Sequence, residues 1–249
     1  MFYLVSDIHL EFYQNFDDFK SRNPNLIQPN LNDNLILAGD IGYIFENENL
    51  ETNITTFKLL KYFKENFKNV IYIAGNHEYY QCKDFNVGIN TTDEKIRNVC
   101  NSLNIHFLQC GSVCIDGVTI YGCTLFSNVD QITFNKLNDK NRVGSHKSIL
   151  DIHFRHLTWL KKLIFTGKTI VVTHHVPLKI YPDLSTAYHA DIIKEIQKQG
   201  VIDFWCCGHL HTNNGINIIL NQTTLVSNTV GYNGQYENQK QKKLLALNI

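Results

Sequence analysis

Five short polar motifs occur along the chain, and most of them directly follow an apolar run typical of a buried strand. They are Asp7-Ile8-His9, Gly39-Asp40, Gly75-Asn76-His77-Glu78, Thr173-His174-His175 and Gly208-His209-Leu210-His211. Together they supply two carboxylates, an amide oxygen and several imidazoles. These groups can hold two neighbouring transition-metal ions, and two metals held in this way can hydrolyse a phosphate ester.

The spacing within the motifs suggests which side chains act together. Asp7 and His9 are two residues apart. In extended backbone, residues i and i+2 point to the same side, so both are expected to reach one ion. His209 and His211 repeat this spacing. Asp40 has two carboxylate oxygens and is therefore able to bridge two metals.

No single motif is specific. An isolated Asp-x-His or Gly-Asp is equally typical of a turn or a helix cap, and Gly-Asn-His-Glu by itself could be a turn with a solvated histidine. The metal-site hypothesis depends on their joint occurrence, in order, at the ends of strand-like runs. Such ends meet at one edge of a doubly wound sheet.

The remaining sequence predicts the elements that would position these groups. Apolar runs predict the strands Phe2–Val5, Leu35–Ala38, Val70–Ala74, Ile105–Leu108, Val113–Ile115, Val118–Phe126, Thr169–Thr173, Ile202–Cys206, Ile216–Leu220, Thr223–Ser227 and Leu244–Leu247. Asp116-Gly117 predicts a hairpin turn. Helical periodicity predicts the helices Glu51–Phe67, His146–Phe165, Ala190–Gln199 and one that Thr91-Thr92-Asp93-Glu94 would open as a capping box. We expect two packed sheets with helices outside, in one domain over residues 1–249.

Composition narrows the classes of function. The chain has 249 residues, is 43% hydrophobic and has a formal net charge of zero. A neutral chain gives no support to a general nucleic-acid-coating role. The N-terminus does not resemble a targeting segment and no apolar run is long enough to span a bilayer, so we expect a soluble, cytoplasmic protein without membrane partners. The seven cysteines include no Cys-x-x-Cys pair, and all are expected to be reduced.

Taken together, the motifs resemble those of the calcineurin-like metallophosphoesterase superfamily. Within it, Ser6–Phe12 is similar to the Ser-Asp-[Ile/Leu]-His-Leu-Glu-Phe start of one bacterial-type group. Further matching stretches are Ala74–Tyr80, Asp116–Val118, Thr173–His175 and Gly208–His211. The similarity runs from residue 1 to about Tyr232. It implies an α/β fold, namely a four-layer α/β/β/α sandwich of two packed mixed sheets flanked by helices.

The resemblance also implies a site. One metal would be held by Asp7, His9, Asp40 and His211, and the other by Asp40, Asn76, His174 and His209, with Asp40 as the bridge. His174 is favoured over His175 because the family ligand directly follows the strand. His77 would be the general acid or a donor to a phosphate oxygen. Nitrogen-rich coordination favours two divalent ions of Mn, Fe or Zn, or of Co or Ni, over Mg or Ca.

One position departs from the family pattern. Many members have an acidic residue three positions after the bridging aspartate, where it orients the catalytic histidine, and this chain has Tyr43 there. The sequence identifies no replacement. Specificity is expected to lie in Asn128–Gly144 and in the loop Lys179–Tyr188.

The expected activity is hydrolysis of a phosphate ester by a metal-bridging hydroxide, with a diester favoured over a monoester. Two alternatives remain open. A nuclease would need a basic groove, for which Lys136, Lys140, Arg142 and Lys147 are candidates. A non-catalytic scaffold would keep the fold and bind protein, but such members usually have gaps in the ligand set. The ligand set here is complete.

Overall fold

Two mixed β-sheets form the centre of the molecule. The computed structural model describes residues 1–28, 30–43, 50–80, 89–235 and 242–249. Within these residues the first sheet contains β1 (Phe2–Val5), β2 (Asn30–Ala38), β3 (Phe67–Ile73), β4 (His106–Phe107) and β11 (Leu245–Leu247). The second contains β5 (Gly111–Ile115), β6 (Val118–Cys123), β7 (Lys168–Thr173), β8 (Phe204–Cys207), β9 (Ile216–Leu220) and β10 (Thr223–Ser227).

Both sheets have a parallel centre. The first has the order β11-β1-β2-β3-β4, in which only β11 runs antiparallel to its neighbour. The second has the order β5-β6-β7-β8-β10-β9, with the antiparallel strands β5 and β9 at its edges. Parallel neighbours place their carboxyl ends at one edge of the sheet, where ligands commonly bind.

Alternating side chains separate the layers. In β2, Leu35 and Leu37 pack against helices, whereas Ile36 packs against the second sheet. In β7, Ile170 enters the layer between the sheets and Val171 faces the opposite helices. A strand buried on both faces has to be apolar throughout, which is why these runs show no polar alternation.

Helices cover the two outer faces. They are α1 (Phe16–Arg22), α2 (Leu50–Asn66), α3 (Ile89–Ser102), α4 (Gln131–Phe134), α5 (Asp139–Arg142), α6 (His146–Leu160) and α7 (Ile193–Ile196). Leu60 and Phe63 of α2 and Ile96 of α3 pack on the first sheet. Leu160 of α6 and Ile193 of α7 pack on the second. The expected α/β/β/α sandwich is confirmed.

The strand predictions agree with the structure to within a few residues, apart from β2, which begins five residues before the predicted Leu35. The turn at Asp116-Gly117 is also confirmed. Both residues have positive φ, 51° and 79°, and they join β5 to β6 with Ile115 paired to Val118. Such a turn matches the twist of the two strands.

Three helix predictions were wrong in their bounds. The capping box at Thr91 lies inside α3, which is helical from Ile89, and Asp93 accepts hydrogen bonds from Tyr79 and Gln109 instead. The helix predicted to reach Phe165 ends at Leu160. The helix predicted from Ala190 is interrupted because Asp191 has a φ of 49°, so that α7 begins only at Ile193.

Three further expectations concern the cysteines, the segment Asn128–Gly144 and membrane-spanning helices. The six cysteines within the described residues are free, and Cys82 lies outside those residues. The segment Asn128–Gly144 is not a plain loop, since it contains α4 and α5. Within the described ranges, no helix combines the length and the apolar character that crossing a membrane requires.

Candidate metal centre

Seven predicted metal ligands and His77 meet where the two sheets share an edge. The chain leaves β1 before Asp7 and His9, β2 before Asp40, and β3 before Asn76 and His77. From the second sheet, β7 precedes His174 and β8 precedes His209 and His211. The side chains from the first sheet are buried, and so is His174, whereas the last two histidines are partly exposed. The structure therefore brings all eight side chains together.

The backbone at several of these residues is left-handed rather than extended, and this conformation sets the direction of their side chains. Asp7, His9, Asp40 and His209 have φ values of 53°, 52°, 52° and 64°. Residues other than glycine rarely adopt this conformation, and it is concentrated at functional sites. The expectation of extended backbone at these residues was thus wrong, although Asp7 and His9 do lie in one cluster as expected. Asp7 and His9 converge through tight turns, and His209 and His211 diverge to different clusters.

The first cluster consists of Asp7, His9 and His211, whose ligand atoms lie within 4.8 Å of one another. Nε2 of His211 is 3.1 Å from Nε2 of His9 and 3.1 Å from Oδ1 of Asp7. The backbone N–H of His209 donates to both oxygens of Asp7, at 2.9 and 3.1 Å. This contact fastens the second sheet to the end of β1.

The second cluster consists of Asp40, His174 and His209, again within 4.8 Å. Nε2 of His174 is 3.3 Å from Oδ2 of Asp40 and 3.2 Å from Oδ1 of Asn76. Oδ1 of Asp40 accepts the backbone N–H of His77 at 2.8 Å, which leaves Oδ2 between the clusters. Oδ2 is 3.7 Å from Nε2 of His9.

These separations fit bound metal. Two nitrogen or oxygen ligands about 2.0–2.1 Å from one ion, at tetrahedral to octahedral angles, lie roughly 2.9–3.4 Å apart. The four distances of 3.1, 3.1, 3.2 and 3.3 Å fall in this interval. Among the ion pairs of the described residues, Asp7 and Asp40 have only histidines as partners. A pair of buried carboxylates without a Lys or Arg partner is a suitable setting for cations.

His174, and not His175, belongs to the cluster. The Nδ1–H of His174 donates to the carbonyl of Ala38 at 2.9 Å, so Nε2 turns toward Asp40. A Cβ at Gly39, which has a φ of 84°, would lie 2.5 Å from Nδ1 of His174, so only glycine lets the imidazole come this close to the backbone. His175 instead packs its ring 4.0 Å from the ring of His209.

Glu11 supplies the carboxylate that Tyr43 does not. Its Oε1 accepts the Nδ1–H of His77 at 2.7 Å and that of His9 at 3.0 Å. One buried carboxylate therefore fixes the ring orientation of both histidines. Tyr43 contributes only a ring that stacks on His77 with centroids 6.5 Å apart. Sequence reasoning missed Glu11, although it lies in the Ser6–Phe12 motif.

Glu78 holds two of the strand ends in register. Its fully buried carboxylate accepts backbone N–H groups of Asp40, Ile41 and Gly75 at 3.0, 2.8 and 2.7 Å, and the Tyr72 hydroxyl at 2.7 Å. Burial and the charge of Asp40 raise the pKa of Glu78 to about 7. The residue was visible in the Gly75–Glu78 motif, but its role was not.

Burial and charge set the protonation of the histidines. Burial alone would lower the pKa of His174, but the charges of Asp40 and Asp7 and the hydrogen bonds to Asp40 and the Ala38 carbonyl together outweigh it and raise that pKa to about 10. In the same way, Asp40 and the hydrogen bond to Glu11 raise the pKa of His77 to about 9 despite burial. Burial, aided by repulsion from His174, lowers the pKa of His209 to about 3. The cavity thus favours positive charge beside its carboxylates and keeps His209 neutral, as a metal ligand must be.

A cavity of about 310 Å³ opens onto both clusters. Asp40, His77, His209 and His211 face it. Its other walls come from residues Asn76, Tyr80, Leu137, Asn138, Asp139, Ala187, Tyr188, Leu210, Tyr232 and Gln235. Both expected specificity segments therefore contribute to the wall. Neither Lys nor Arg occurs among these described lining residues.

The candidate basic groove is largely engaged elsewhere. Lys140 donates to the carbonyl of Asn135 at 2.6 Å, and Lys147 pairs with Asp151 at 2.7 Å. None of the four candidate cations lines the cavity described above.

Several known proteins are similar to this chain in sequence or in structure. The chain is 26% identical to an uncharacterized protein of Acanthamoeba polyphaga mimivirus, over 94% of this chain and 92% of that protein. The structure of phosphopantetheinyl hydrolase from Mycobacterium tuberculosis is similar, with a TM-score of 0.68, 17% identity, and coverage of 93% of this chain and 89% of that one. A dimetal phosphatase from Danio rerio aligns with a TM-score of 0.51 and 11% identity, over 91% and 86%.

The match to a protein family is more direct. The family model for calcineurin-like phosphoesterases matches residues 1–213, which include every predicted site residue. On this match, and with the fold and the clustered histidines and aspartates in agreement, the chain belongs to the calcineurin-like phosphoesterase family.

Proposed function

We propose that the protein hydrolyses phosphate esters with two divalent transition-metal ions, and that its substrates are phosphodiesters. The observation that carries the proposal is the pair of clusters on either side of Oδ2 of Asp40. One would hold an ion through Asp7, His9, Asp40 and His211, and the other through Asp40, Asn76, His174 and His209. The similar fold of a protein described as a dimetal phosphatase supports two ions.

In this reaction the protein would position the ions and the proton donor and set the charge of the site. Two divalent ions would supply a water of lowered pKa as nucleophile and bind the phosphoryl oxygens. Two ions would together carry a charge of +4, and Asp7 and Asp40 would contribute −2. The site would therefore be positively charged and attract a phosphate anion. His77 faces the cavity beside them, with its Nδ1 tied to Glu11, so the other ring nitrogen is available to donate to the leaving oxygen.

Charge in the cavity wall favours a diester. A phosphomonoester dianion would gain from a Lys or Arg that binds its additional charge, and the described lining residues contain neither. Asp139 adds a further carboxylate to the wall. A diester has one negative charge and two alcohol groups, one of which can rest against Tyr188 and Tyr232. The same wall argues against a nuclease, which would need cations that follow a polyanion.

A substrate panel tests the proposal. Metal-free protein, reloaded with Mn²⁺, Fe²⁺ or Zn²⁺, is assayed on bis(p-nitrophenyl) phosphate, p-nitrophenyl phosphate, cyclic nucleotides and oligonucleotides. We expect about two bound ions per chain, a rate at least ~10³-fold above that of chelator-treated protein, and higher kcat/KM for diesters. A protein that binds two ions but prefers the monoester would overturn the diester assignment. Hydrolysis unaffected by chelation would overturn the metal mechanism.

The two adjacent histidines give a second test. His174→Ala is expected to lose one of the two ions and most of the activity, because Nε2 of His174 lies in the second cluster. His175→Phe is expected to keep both ions and a rate within about threefold, because the ring of His175 packs against the rings of His174, His209 and Phe126 and belongs to neither cluster. Metal stoichiometry by mass spectrometry decides between them. Loss of an ion in His175→Phe alone would reverse the assignment.

A further inference from the structure

Asp139 lies against the candidate metal centre without belonging to any of the five motifs. It is the first residue of α5, and only 8% of its surface is exposed. Its Oδ1 accepts from Nδ2 of Asn76 at 3.0 Å. Nothing in the sequence marks this residue, because it is separated from Asn76 by 63 positions.

Asn76 is the one amide among the proposed ligands, and its side chain can present the wrong atom. Its amide has an oxygen at one end and an NH₂ group at the other, and the two ends have nearly the same shape. Turned the wrong way, the side chain would direct two N–H donors at a cation. The orientation has to be selected by hydrogen-bond partners.

The partners that Asn76 has select the productive orientation. Oδ1 of Asp139 accepts the hydrogen bond, so Asp139 faces the NH₂ end of the amide. The same Nδ2 also donates to the hydroxyl of Tyr80 at 3.0 Å, and that hydroxyl is hydrogen-bonded to Asp139. Oδ1 of Asn76 is thereby left 3.2 Å from Nε2 of His174.

The segment that bears Asp139 is itself fixed to the core. Phe134 is buried in the same core cluster as the helices over the first sheet, and Leu137 and Val143 pack against that cluster. The carbonyl of Asp139 accepts from the N–H groups of Val143 and Gly144, at 2.8 and 3.3 Å. The carboxylate therefore meets Asn76 from a position set by packing, not by a free loop.

We infer that Asp139 is a positioning residue that holds the amide oxygen of Asn76 toward the second metal. The inference rests on the proposed function and assigns part of the metal affinity to the Asn128–Gly144 segment. Partners of metal ligands of this kind typically change metal affinity by about 10–100-fold when they are removed.

The first experiment measures metal binding instead of activity. Metal-free wild type, Asp139→Asn and Asp139→Ala are titrated with Mn²⁺ by calorimetry, with free Mn²⁺ followed by electron paramagnetic resonance. Asp130→Asn is the matched control, since Asp130 lies in the same segment and caps α4 through Thr133. We expect one of two Mn²⁺ affinities to fall about 10–100-fold in both Asp139 variants, and neither to change in the control.

A charge-swap pair tests the direction of the hydrogen bond. Asn76→Asp keeps an oxygen ligand but places two carboxylates in contact, so it is expected to weaken Mn²⁺ binding. Adding Asp139→Asn to that variant supplies an NH₂ donor and is expected to restore at least tenfold of the lost affinity. A side chain that merely filled space would produce no such rescue.

The outcomes separate the two levels of the proposal. Wild type that binds none of Mn²⁺, Fe²⁺ and Zn²⁺ in the same titration overturns the proposed function and the inference with it. Wild type that binds two ions, with Asp139→Asn and Asp139→Ala indistinguishable from Asp130→Asn, overturns the inference alone. Equal weakening of both ions, or absence of rescue in the pair, also overturns it. Circular dichroism and melting in chelator should be measured alongside, to check that Asp139→Asn, the isosteric variant, is folded.

Discussion

Asp40→Asn is expected to reduce the rate of phosphodiester hydrolysis by at least about 10³-fold and to prevent two ions from binding together. Oδ2 of Asp40 lies between the clusters, 3.3 Å from Nε2 of His174 and 3.7 Å from Nε2 of His9. Asparagine has the same shape and keeps an oxygen for the N–H of His77, so its NH₂ group would point at the site. Loss of the shared ligand is expected to raise the activation free energy by several kcal/mol, because the ions would stabilise less of the charge in the transition state. Roughly 1.36 kcal/mol corresponds to a factor of ten in rate.

Metal stoichiometry, the rate on bis(p-nitrophenyl) phosphate and melting in chelator should be measured together. Asp151→Asn makes the same chemical change on the surface of α6, where Asp151 pairs with Lys147, and should behave as wild type. An Asp40→Asn protein that is folded, holds two ions and hydrolyses the diester at a normal rate would exclude Asp40 as the bridge. It would also exclude the mechanism built on it.

His77→Ala is expected to keep both ions and to lose about 10²–10⁴-fold in rate on substrates with poor leaving groups. The loss should be smallest with p-nitrophenolate, which departs without a proton. His77 is held for this task on both sides. Its Nδ1–H donates to Glu11 at 2.7 Å, and its ring stacks on Tyr80 with centroids 4.2 Å apart. A set of aryl and alkyl diesters, compared by kcat, gives the leaving-group dependence.

Glu11→Gln and Tyr43→Phe serve as the paired controls for this test. Glu11→Gln keeps the shape but loses the charge that orients His77 and His9, so it should show the same trend with smaller losses. Tyr43→Phe removes only a hydroxyl from a ring 6.5 Å away and should leave kcat unchanged. The same loss with every leaving group in His77→Ala would show that His77 is not the acid.

Local patterns were sufficient for much of the fold. Apolar runs located the central strands because a strand buried between two layers has to be apolar throughout, and β1, β9 and β10 have the predicted bounds. Helix ends were less predictable. Asp191 interrupts the predicted helix because its backbone is left-handed, a conformation that helical periodicity does not reveal.

The residue types proposed to bind metal could also be recognised in the sequence, since each of them lies within a few residues of the end of a strand. Spacing alone did not give their grouping. It suggested that His209 and His211 share an ion, whereas the family resemblance assigned them to different metals, and the structure likewise places them in two clusters. His209 adopts a left-handed turn there.

The sequence by itself determined the two-sheet architecture, the strand ends that meet at one edge, and the set of carboxylates, amide and imidazoles placed there. Only the tertiary structure decided what orients that set. Glu11 reaches His77 across 66 positions and Asp139 reaches Asn76 across 63, because two sheets and a helical segment bring remote stretches together. Hydrogen bonds of a few ångströms between such remote residues leave no periodic trace in the chain. The proposed ligands are therefore visible as motifs, whereas the roles of the residues that orient them, even of Glu11 inside a motif, follow only from packing.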